Sequence, residues 1–255
     1  MGRAGSAVAP QGRAVTLAGY NRLDGEVPVL HAPRLEDEAR EVRGYLAEGH
    51  RALAEILSVE TPEMVALLVA DEDWKRAPRE NAGPYPPGLP YFTRSTTPPA
   101  LVLPEELSPV FRPRTGATMP LAIWHELAHA FLLSREVVKM PIWLGELVPQ
   151  AASAAIARRS GLSLDDHLSR IDGKPEFTVR SFGGPAGARD QMSFQNLLLL
   201  LGAAALEEFG EDFLGRLFLA LWGEDEVVDE ERAEELLAGT LGPGGPEWLA
   251  SRWEF

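Results

Sequence analysis

The alternation of hydrophobic and polar residues in the N-terminal half predicts short buried strands around one long helix. From Leu35 to Leu57 apolar residues recur at helical spacing among Glu and Arg, which predicts an amphipathic helix of about twenty residues. Apolar runs at Val27–Leu30, Met64–Ala70 and Ala100–Leu103 predict strands. The proline-rich stretch Ala82–Pro99 predicts a loop without regular structure.

The C-terminal half has the pattern of packed helices. Apolar residues at helical spacing predict helices over about 192–208, 211–222 and 229–238, separated by glycines at 210 and 223. We therefore expect an α+β fold, with a small mixed sheet in the first half and a mostly helical second half.

The chain is long enough to bury a substantial core, and its first residues differ in composition from the rest. We expect residues 1–18, which are small and polar, to form a flexible N-terminus. Residues 19–255 are predicted to form one domain, with an N-terminal α/β lobe at about 19–135 and a helical C-terminal lobe at about 136–255.

Composition narrows the possible partners and the compartment. The net charge of −14, from 24 basic and 38 acidic residues, argues against a nucleic-acid or anionic-membrane partner. The chain contains no cysteine, so nothing in it requires an oxidising compartment. The longest apolar run, Leu197–Leu206, is too short to span a bilayer, and residues 1–19 lack the apolar core of a signal peptide. We therefore expect a cytoplasmic protein.

The segment Trp124–Ala130 contains the pattern H-E-x-x-H in a strongly apolar context that predicts a buried helix. His125 and His129 are one helical turn apart, so both imidazoles can reach one metal ion, and zinc suits neutral imidazole ligands. Glu126 would lie beside the metal without binding it, within reach of a water that the metal activates, as a general base would.

A catalytic zinc site usually has a third protein ligand, and several options exist for it. The metzincin pattern needs another histidine six residues after His129, where this chain has Arg135, and the cysteine of peptide deformylases is missing. Glu136 is possible, although it lies on or just beyond the same helix. Glu146 is better placed, because it follows a turn and starts a second helical run, Val148–Ala157.

These segments resemble the gluzincin zinc metallopeptidases, specifically the broad peptidase MA-like group. The resemblance is carried by residues 119–129, by Trp143–Glu146, and downstream by Phe194–Asn196 and Glu207–Glu211. It implies a zincin-like fold in which a second helix delivers Glu146 as the third zinc ligand. It also implies that the strand just before the zinc helix lies at the sheet edge and pairs with extended substrate.

The chain departs from this family at positions that affect catalysis. Gln150 occupies the place of an acidic residue that orients a zinc histidine, and its side-chain oxygen could still accept that hydrogen bond. A tyrosine on the later helix commonly stabilises the oxyanion in gluzincins, and by spacing that position is Phe194. Tyr85, Tyr91 or His167 could take over this role.

Two functions are compatible with these residues. The first is zinc-dependent hydrolysis of peptide bonds in a peptide or unfolded protein, with Glu126 as the general base. The second is a catalytically inactive zincin-fold protein that binds metal or serves as a scaffold. The missing tyrosine is the main support for the second hypothesis.

Overall fold

The computed structural model describes residues 13–14, 17–80, 88–107, 118–164, 176–184, 188–252 and 254–255. In chain order the strands are β1 (Arg13–Ala14), β2 (Asn21–Leu23), β3 (Val29–His31), β4 (Val65–Val69), β5 (Tyr91–Thr93), β6 (Thr96–Thr97) and β7 (Ala100–Pro104). The α-helices are α1 (Glu36–Leu57), α2 (Thr118–Leu132), α3 (Ile142–Arg159), α4 (Ala188–Phe209), α5 (Asp212–Trp222), α6 (Glu230–Leu241) and α7 (Gly245–Ser251). Short 3-10 turns cover Pro33–Leu35 and Asp71–Arg76.

The central sheet is mixed and has five strands in the order β2-β3-β4-β7-β5. Strands β3, β4 and β7 are parallel, whereas β2 and β5 are antiparallel to their single neighbours at the two edges. All residues of β4 and β7 are buried, as expected for central strands covered on both faces. The predicted α+β class with a small mixed sheet is confirmed.

Alternate residues of the central strands enter two separate cores, because successive side chains of a strand point to opposite faces. Ala66, Leu68, Leu101 and Leu103 belong to the main core, which also contains the apolar faces of α1 and α2. The opposite faces of β4 and β7 pack with Leu17, Trp74 and Tyr91 in a smaller core. The main core continues into the C-terminal helices, so α2 lies between the sheet and the helical half.

Two sequence predictions about the sheet are wrong. The stretch Ala82–Pro99 contains regular structure, because β5 pairs with β7 at Tyr91–Thr93 and β6 pairs with β1. Proline is tolerated beside an edge strand, whose outer N–H groups make no ladder bonds, so a proline-rich segment can still supply one. The second prediction placed the strand that precedes α2, which is β7, at the sheet edge. Strand β5 occupies that edge instead.

The helix that carries Glu146 begins earlier than predicted. Helix α3 begins at Ile142, six positions before the predicted start at Val148, and contains Pro149 in its interior. A proline inside a helix removes one backbone hydrogen bond, so the sequence suggests a break where the helix in fact continues. The α3 residues on both sides of Pro149 are buried, so packing favours the continuous helix.

The indole groups of three tryptophans form hydrogen bonds that connect α2 and α3 to neighbouring helices. The Trp124 Nε1–H of α2 donates to the Tyr45 carbonyl of α1 over 2.9 Å. Trp222 Nε1–H donates to the carbonyl of Leu132 at the C-terminal end of α2, also over 2.9 Å. Trp143 Nε1–H on α3 donates to Glu230 Oε2 over 2.6 Å. Both helices of the site are therefore held by specific polar contacts as well as by packing.

The helical C-terminal half agrees with the predicted elements, and α4, α5 and α6 each lie within a few residues of the predicted bounds. The predicted flexible terminus, residues 1–18, lies mostly outside the described residues. Among the residues that the structure describes, no helix is both long and apolar enough to cross a membrane.

Candidate metal centre

Helix α2 places two imidazole groups side by side on one face. Because His125 and His129 are one helical turn apart, their Nε2 atoms are separated by only 3.2 Å. Both side chains are partly buried, with 12% and 19% of their surface exposed. The Nδ1 of His125 is buried and has no hydrogen-bond partner within the described part of the chain. Both Nε2 atoms therefore face the same small volume.

Glu146 on α3 completes the group from the opposite side. Its Oε2 lies 3.3 Å from His125 Nε2, and its Oε1 lies 3.7 Å from His129 Nε2. The carboxylate reaches the imidazoles because α3 packs directly against α2 after the turn at 133–141. The structure thus brings together the three residues predicted as metal ligands.

The spacing of these atoms fits a tetrahedral metal ion. Ligand distances of about 2.0–2.1 Å place two ligand atoms of a tetrahedral zinc about 3.3 Å apart. The two Nε2 atoms are 3.2 Å apart, His125 Nε2 lies 3.3 Å from Glu146 Oε2, and His129 Nε2 lies 3.7 Å from the other oxygen, Oε1, all close to that value. In the described residues this is the one group of His, Cys, Asp and Glu whose ligand atoms lie close enough together to hold a metal ion. Two imidazoles and one carboxylate are also a donor set that zinc accepts.

Glu126 lies next to this group and contributes no atom to it. Burial raises its pKa above the ordinary value, and the negative charge of Glu146 adds to the increase. The positive charge on His125 and His129, when protonated, and the Phe92 backbone N–H act in the opposite direction without cancelling the increase. A carboxylate with a raised pKa is a better proton acceptor near neutral pH than an ordinary glutamate.

Within the cluster, Glu146 and His129 stabilise each other's charged forms. Burial alone would raise the pKa of Glu146, but hydrogen bonds from His125 and His129 hold it well below the ordinary value. Burial alone would lower the pKa of His129, but its hydrogen bond to Glu146 and the charges of Glu146 and Glu126 raise it. These contacts favour a proton on His129 in the metal-free protein, and a metal ion that binds there would have to displace it.

Two glutamine side chains extend the cluster. Gln195 on α4 donates from Nε2 to Glu146 Oε2 over 2.9 Å, and Gln150 on α3 donates from Nε2 to Gln195 Oε1. The hydrogen bond that Gln150 could accept from a zinc histidine is not among the hydrogen bonds of the described residues, and the observed contact of Gln150 leads to Glu146 through Gln195. The sequence analysis missed the role of Gln195. The available signal was the pair Gln191 and Gln195, one helical turn apart just before the apolar run Leu197–Leu206.

A cavity of about 350 Å³ opens onto the cluster. Its floor is formed by His125, Glu126 and His129 of α2 and by Glu146 and Gln150 of α3. Apolar side chains line much of the cavity, and α4 contributes side-chain amides as well as apolar groups. The apolar lining comes from Leu89, Pro90, Phe92, Leu121, Leu133, Met192 and Leu199, and the α4 amides from Gln191, Gln195 and Asn196.

The residues considered for the oxyanion position or as an alternative ligand do not line this cavity where they are described. Phe194 is fully buried and stacks on Phe182 with ring centroids 4.1 Å apart. Tyr91 is in the smaller core, where its hydroxyl donates to the Pro78 carbonyl over 3.0 Å. Tyr85 and His167 lie outside the described residues. Glu136 is exposed after the end of α2 and is not part of the metal cluster.

Comparisons with known proteins show similarity in fold. No protein-family model matches the chain, and no curated protein sequence matches it. Two matching solved structures are leukotriene A4 hydrolase from Saccharomyces cerevisiae in its native form, with a TM-score of 0.56 and 15% identity, and the yeast enzyme in complex with bestatin, with a TM-score of 0.57 and 14% identity. The match covers 92% of this chain and 38% of each hydrolase chain. The chain therefore resembles part of the leukotriene A4 hydrolase fold and spans less than two fifths of that protein's length.

Proposed function

We propose that this protein is a gluzincin-like zinc hydrolase that cleaves peptide bonds, with zinc on His125, His129 and Glu146 and with Glu126 as the general base. The observation that carries the proposal is that the two Nε2 atoms lie 3.2 Å apart and each lies 3.3 or 3.7 Å from an oxygen of Glu146, beside a second carboxylate, Glu126, that is not part of this group. The fold similarity to part of a hydrolase supports the same class of activity.

Each residue has a distinct role in this proposal. Zinc, when bound, supplies Lewis acidity that lowers the pKa of a water molecule and polarises the scissile carbonyl. Glu126 accepts a proton at its carboxylate and passes it to the leaving amine, a role for which its raised pKa is suited. The Phe92 backbone N–H, which lowers the pKa of Glu126, helps to hold that carboxylate at the cavity floor.

The cavity suits an extended peptide that lies between β5 and α4. Strand β5 has one neighbour in the sheet, and its middle residue Phe92 lines the cavity. The cavity wall contributes apolar side chains and uncharged amides, and its charged residues are carboxylates and histidines of the floor. We therefore infer that the residues next to the scissile bond are apolar or uncharged, because a substrate carboxylate would face Glu126 and Glu146.

The alternative is a zincin-fold protein that holds metal without turnover or serves as a scaffold. It is favoured by one observation: within the described residues, the cavity lining contains no tyrosine. A gluzincin that lacks an oxyanion donor could retain its metal and lose most of its activity, since one such donor contributes about 10²–10³ in rate.

Metal content and cleavage of a peptide library, measured on the same preparations, test the proposal. The wild type should bind close to one zinc per chain and cleave peptides in a chelator-sensitive manner. Glu126→Gln keeps the shape of the side chain and removes the proton acceptor, so zinc should remain while cleavage falls by roughly 10²–10⁴. Glu146→Ala should lose zinc.

Glu136→Ala is the matched control, because Glu136 is an exposed glutamate outside the cluster and should be dispensable. Loss of zinc from Glu136→Ala but not from Glu146→Ala would refute the ligand assignment. A wild type that binds zinc and cleaves nothing in the library would favour the non-catalytic alternative.

A further inference from the structure

Glu146 differs from the two histidines in how its orientation is fixed. The imidazoles project from adjacent turns of one helix, whereas the carboxylate lies at the end of a flexible side chain with 26% of its surface exposed. A carboxylate ligand needs an additional contact to hold its plane toward the metal, and such contacts strongly influence metal affinity. The contacts that Glu146 makes with residues other than the two histidines therefore determine how well its carboxylate is oriented before a metal ion binds.

The hydrogen bond from Gln195 has a direction that the chemistry dictates. An ionised carboxylate only accepts hydrogen bonds, so the group of Gln195 that faces Glu146 Oε2 at 2.9 Å must be its NH₂. The carbonyl oxygen of Gln195 then faces Gln150, which can donate to it only through its own NH₂. Because Glu146 can only accept, the hydrogen bonds run from Gln150 to Gln195 and from Gln195 to Glu146.

Glutamine is well suited to this position because it is neutral. The Glu146 carboxylate lies within 3.3 and 3.7 Å of the two imidazole nitrogens, so any charge placed beside it from α4 also acts on the volume that a cation would occupy. A lysine or arginine at position 195 would neutralise the carboxylate and compete with a metal ion, whereas an amide orients the carboxylate and leaves its charge intact. Gln150 lies one turn after Glu146 on the same helix, so it ties the contact on α4 back to α3.

We propose that Gln195, itself oriented by Gln150, is a positioning residue that holds the Glu146 carboxylate for zinc. This inference rests on the proposed function for the identity of the ligands. It adds a residue from a third helix, so that α2 supplies two ligands, α3 supplies one, and α4 sets the orientation of that one.

Zinc affinity, measured without substrate by competition with a chromophoric chelator, tests the proposal. Gln195→Met keeps side-chain length and removes the donor, and it should weaken zinc binding by about 10–100-fold. Gln150→Met should weaken binding by a smaller factor in the wild type and should have no further effect when combined with Gln195→Met, because Gln150 acts through Gln195. If Gln195→Met does not fold, Gln195→Ala replaces it with the same expected loss.

Gln191→Met is the matched control. Gln191 lies one turn earlier on α4, lines the same cavity, and is not the residue that donates to Glu146. Its change should leave zinc affinity within twofold of the wild type. Thermal melting of the metal-free variants provides a second readout, since a purely structural role would lower the melting temperature of Gln195→Met and leave its affinity unchanged.

The outcomes separate this inference from the proposed function. Wild-type affinity in Gln195→Met, an equal loss in Gln191→Met, or an undiminished effect of Gln150→Met in the Gln195→Met background would each overturn the positioning role. A wild type that binds no zinc would overturn both proposals. If zinc binding depends on Gln195 as expected but no peptide is cleaved, the positioning role stands and the hydrolase proposal fails.

Discussion

Gly202 lies where α4 approaches the backbone of α3, and replacing it with alanine tests the packing behind the site. A Cβ at this position would lie 2.9 Å from both Cα and Cβ of Ala151 and 3.2 Å from its nitrogen. Non-bonded carbon atoms prefer about 3.5–4.0 Å, so Gly202→Ala requires the helices to separate locally by roughly 0.6–1 Å. Two of the three contacted atoms are backbone atoms, so no side-chain rotation can relieve the contact.

The magnitude follows from two opposing effects. Overpacking in a well-packed core costs about 1–3 kcal/mol, whereas replacing glycine by alanine inside a helix stabilises it by about 0.5–1 kcal/mol. Gly44→Ala is the matched control, because Gly44 is an exposed glycine within α1, and a Cβ added to it would have no heavy atom within 4 Å. Since both variants share the helix gain, their difference in unfolding free energy isolates the overpacking cost of about 1–3 kcal/mol.

Urea unfolding of the two variants and the wild type measures this difference directly. Gly44→Ala should raise the midpoint, and Gly202→Ala should fall below Gly44→Ala by the stated amount. Gly202→Ala should also weaken zinc binding, because Gln195 of α4 would move relative to Glu146 of α3. If Gly202→Ala is as stable as Gly44→Ala and binds zinc normally, the close contact between α3 and α4 does not exist in solution.

Two further predictions concern residues outside the site. Burial lowers the pKa of His50 below its ordinary value of 6.5 by more than the Pro62 carbonyl and Glu26 raise it. Between the lowered pKa and pH 6.5, the unfolded chain binds a proton at His50 that the folded chain does not. The free energy of unfolding should therefore be highest above about pH 6.5 and should decrease as the pH falls from there to the lowered pKa, by at most about 1.4 kcal/mol per pH unit. His50→Leu should remove this part of the pH dependence of urea midpoints, and unchanged dependence would contradict the shift. Ser58 ends α1 in the left-handed conformation, with φ 53° and ψ 44°. Glycine adopts this conformation without strain, so Ser58→Gly should stabilise the fold by about 1 kcal/mol and raise the urea midpoint. A lower midpoint would show that the serine side chain contributes more than the strain costs.

The parts of the site that could be predicted from sequence are those fixed by local geometry. The pairing of His125 and His129 follows from helical spacing alone. The choice of Glu146 over Glu136 required only that a turn separate two helices, and the structure places Glu146 in the cluster and Glu136 on the surface. Neither inference depended on the angle between the helices, which explains why the structure brings these three residues together as expected.

The sequence predictions of cavity residues failed where a shift of one position along a helix changes the direction of the side chain. Neighbouring residues of a helix point about 100° apart, so a spacing that is wrong by one position exchanges a cavity residue for a core residue. Phe194 was expected to face the cleft, and its neighbour Gln195 does so instead, while Phe194 is fully buried against Phe182. The same limit applies to β5, where Tyr91 and Phe92 point to opposite faces of the sheet and Phe92 lines the cavity.

Glu126 distinguishes the two functions that remain in competition. A protein that only holds a metal ion needs His125, His129 and Glu146. The contacts between the carboxylate and the two imidazoles explain why these ionisable groups can lie together. Glu126 takes no part in that group, and burial raises its pKa, so its ionised form is held at a cost in free energy. An apolar residue at this position would remove the repulsion between Glu126 and Glu146 without disturbing the ligands. A scaffold or metal store gains nothing from such a carboxylate, whereas a hydrolase requires a proton acceptor at this location. Glu126 beside the three proposed ligands therefore supports the proposed hydrolase over the non-catalytic alternative, even though no tyrosine lines the described part of the cavity.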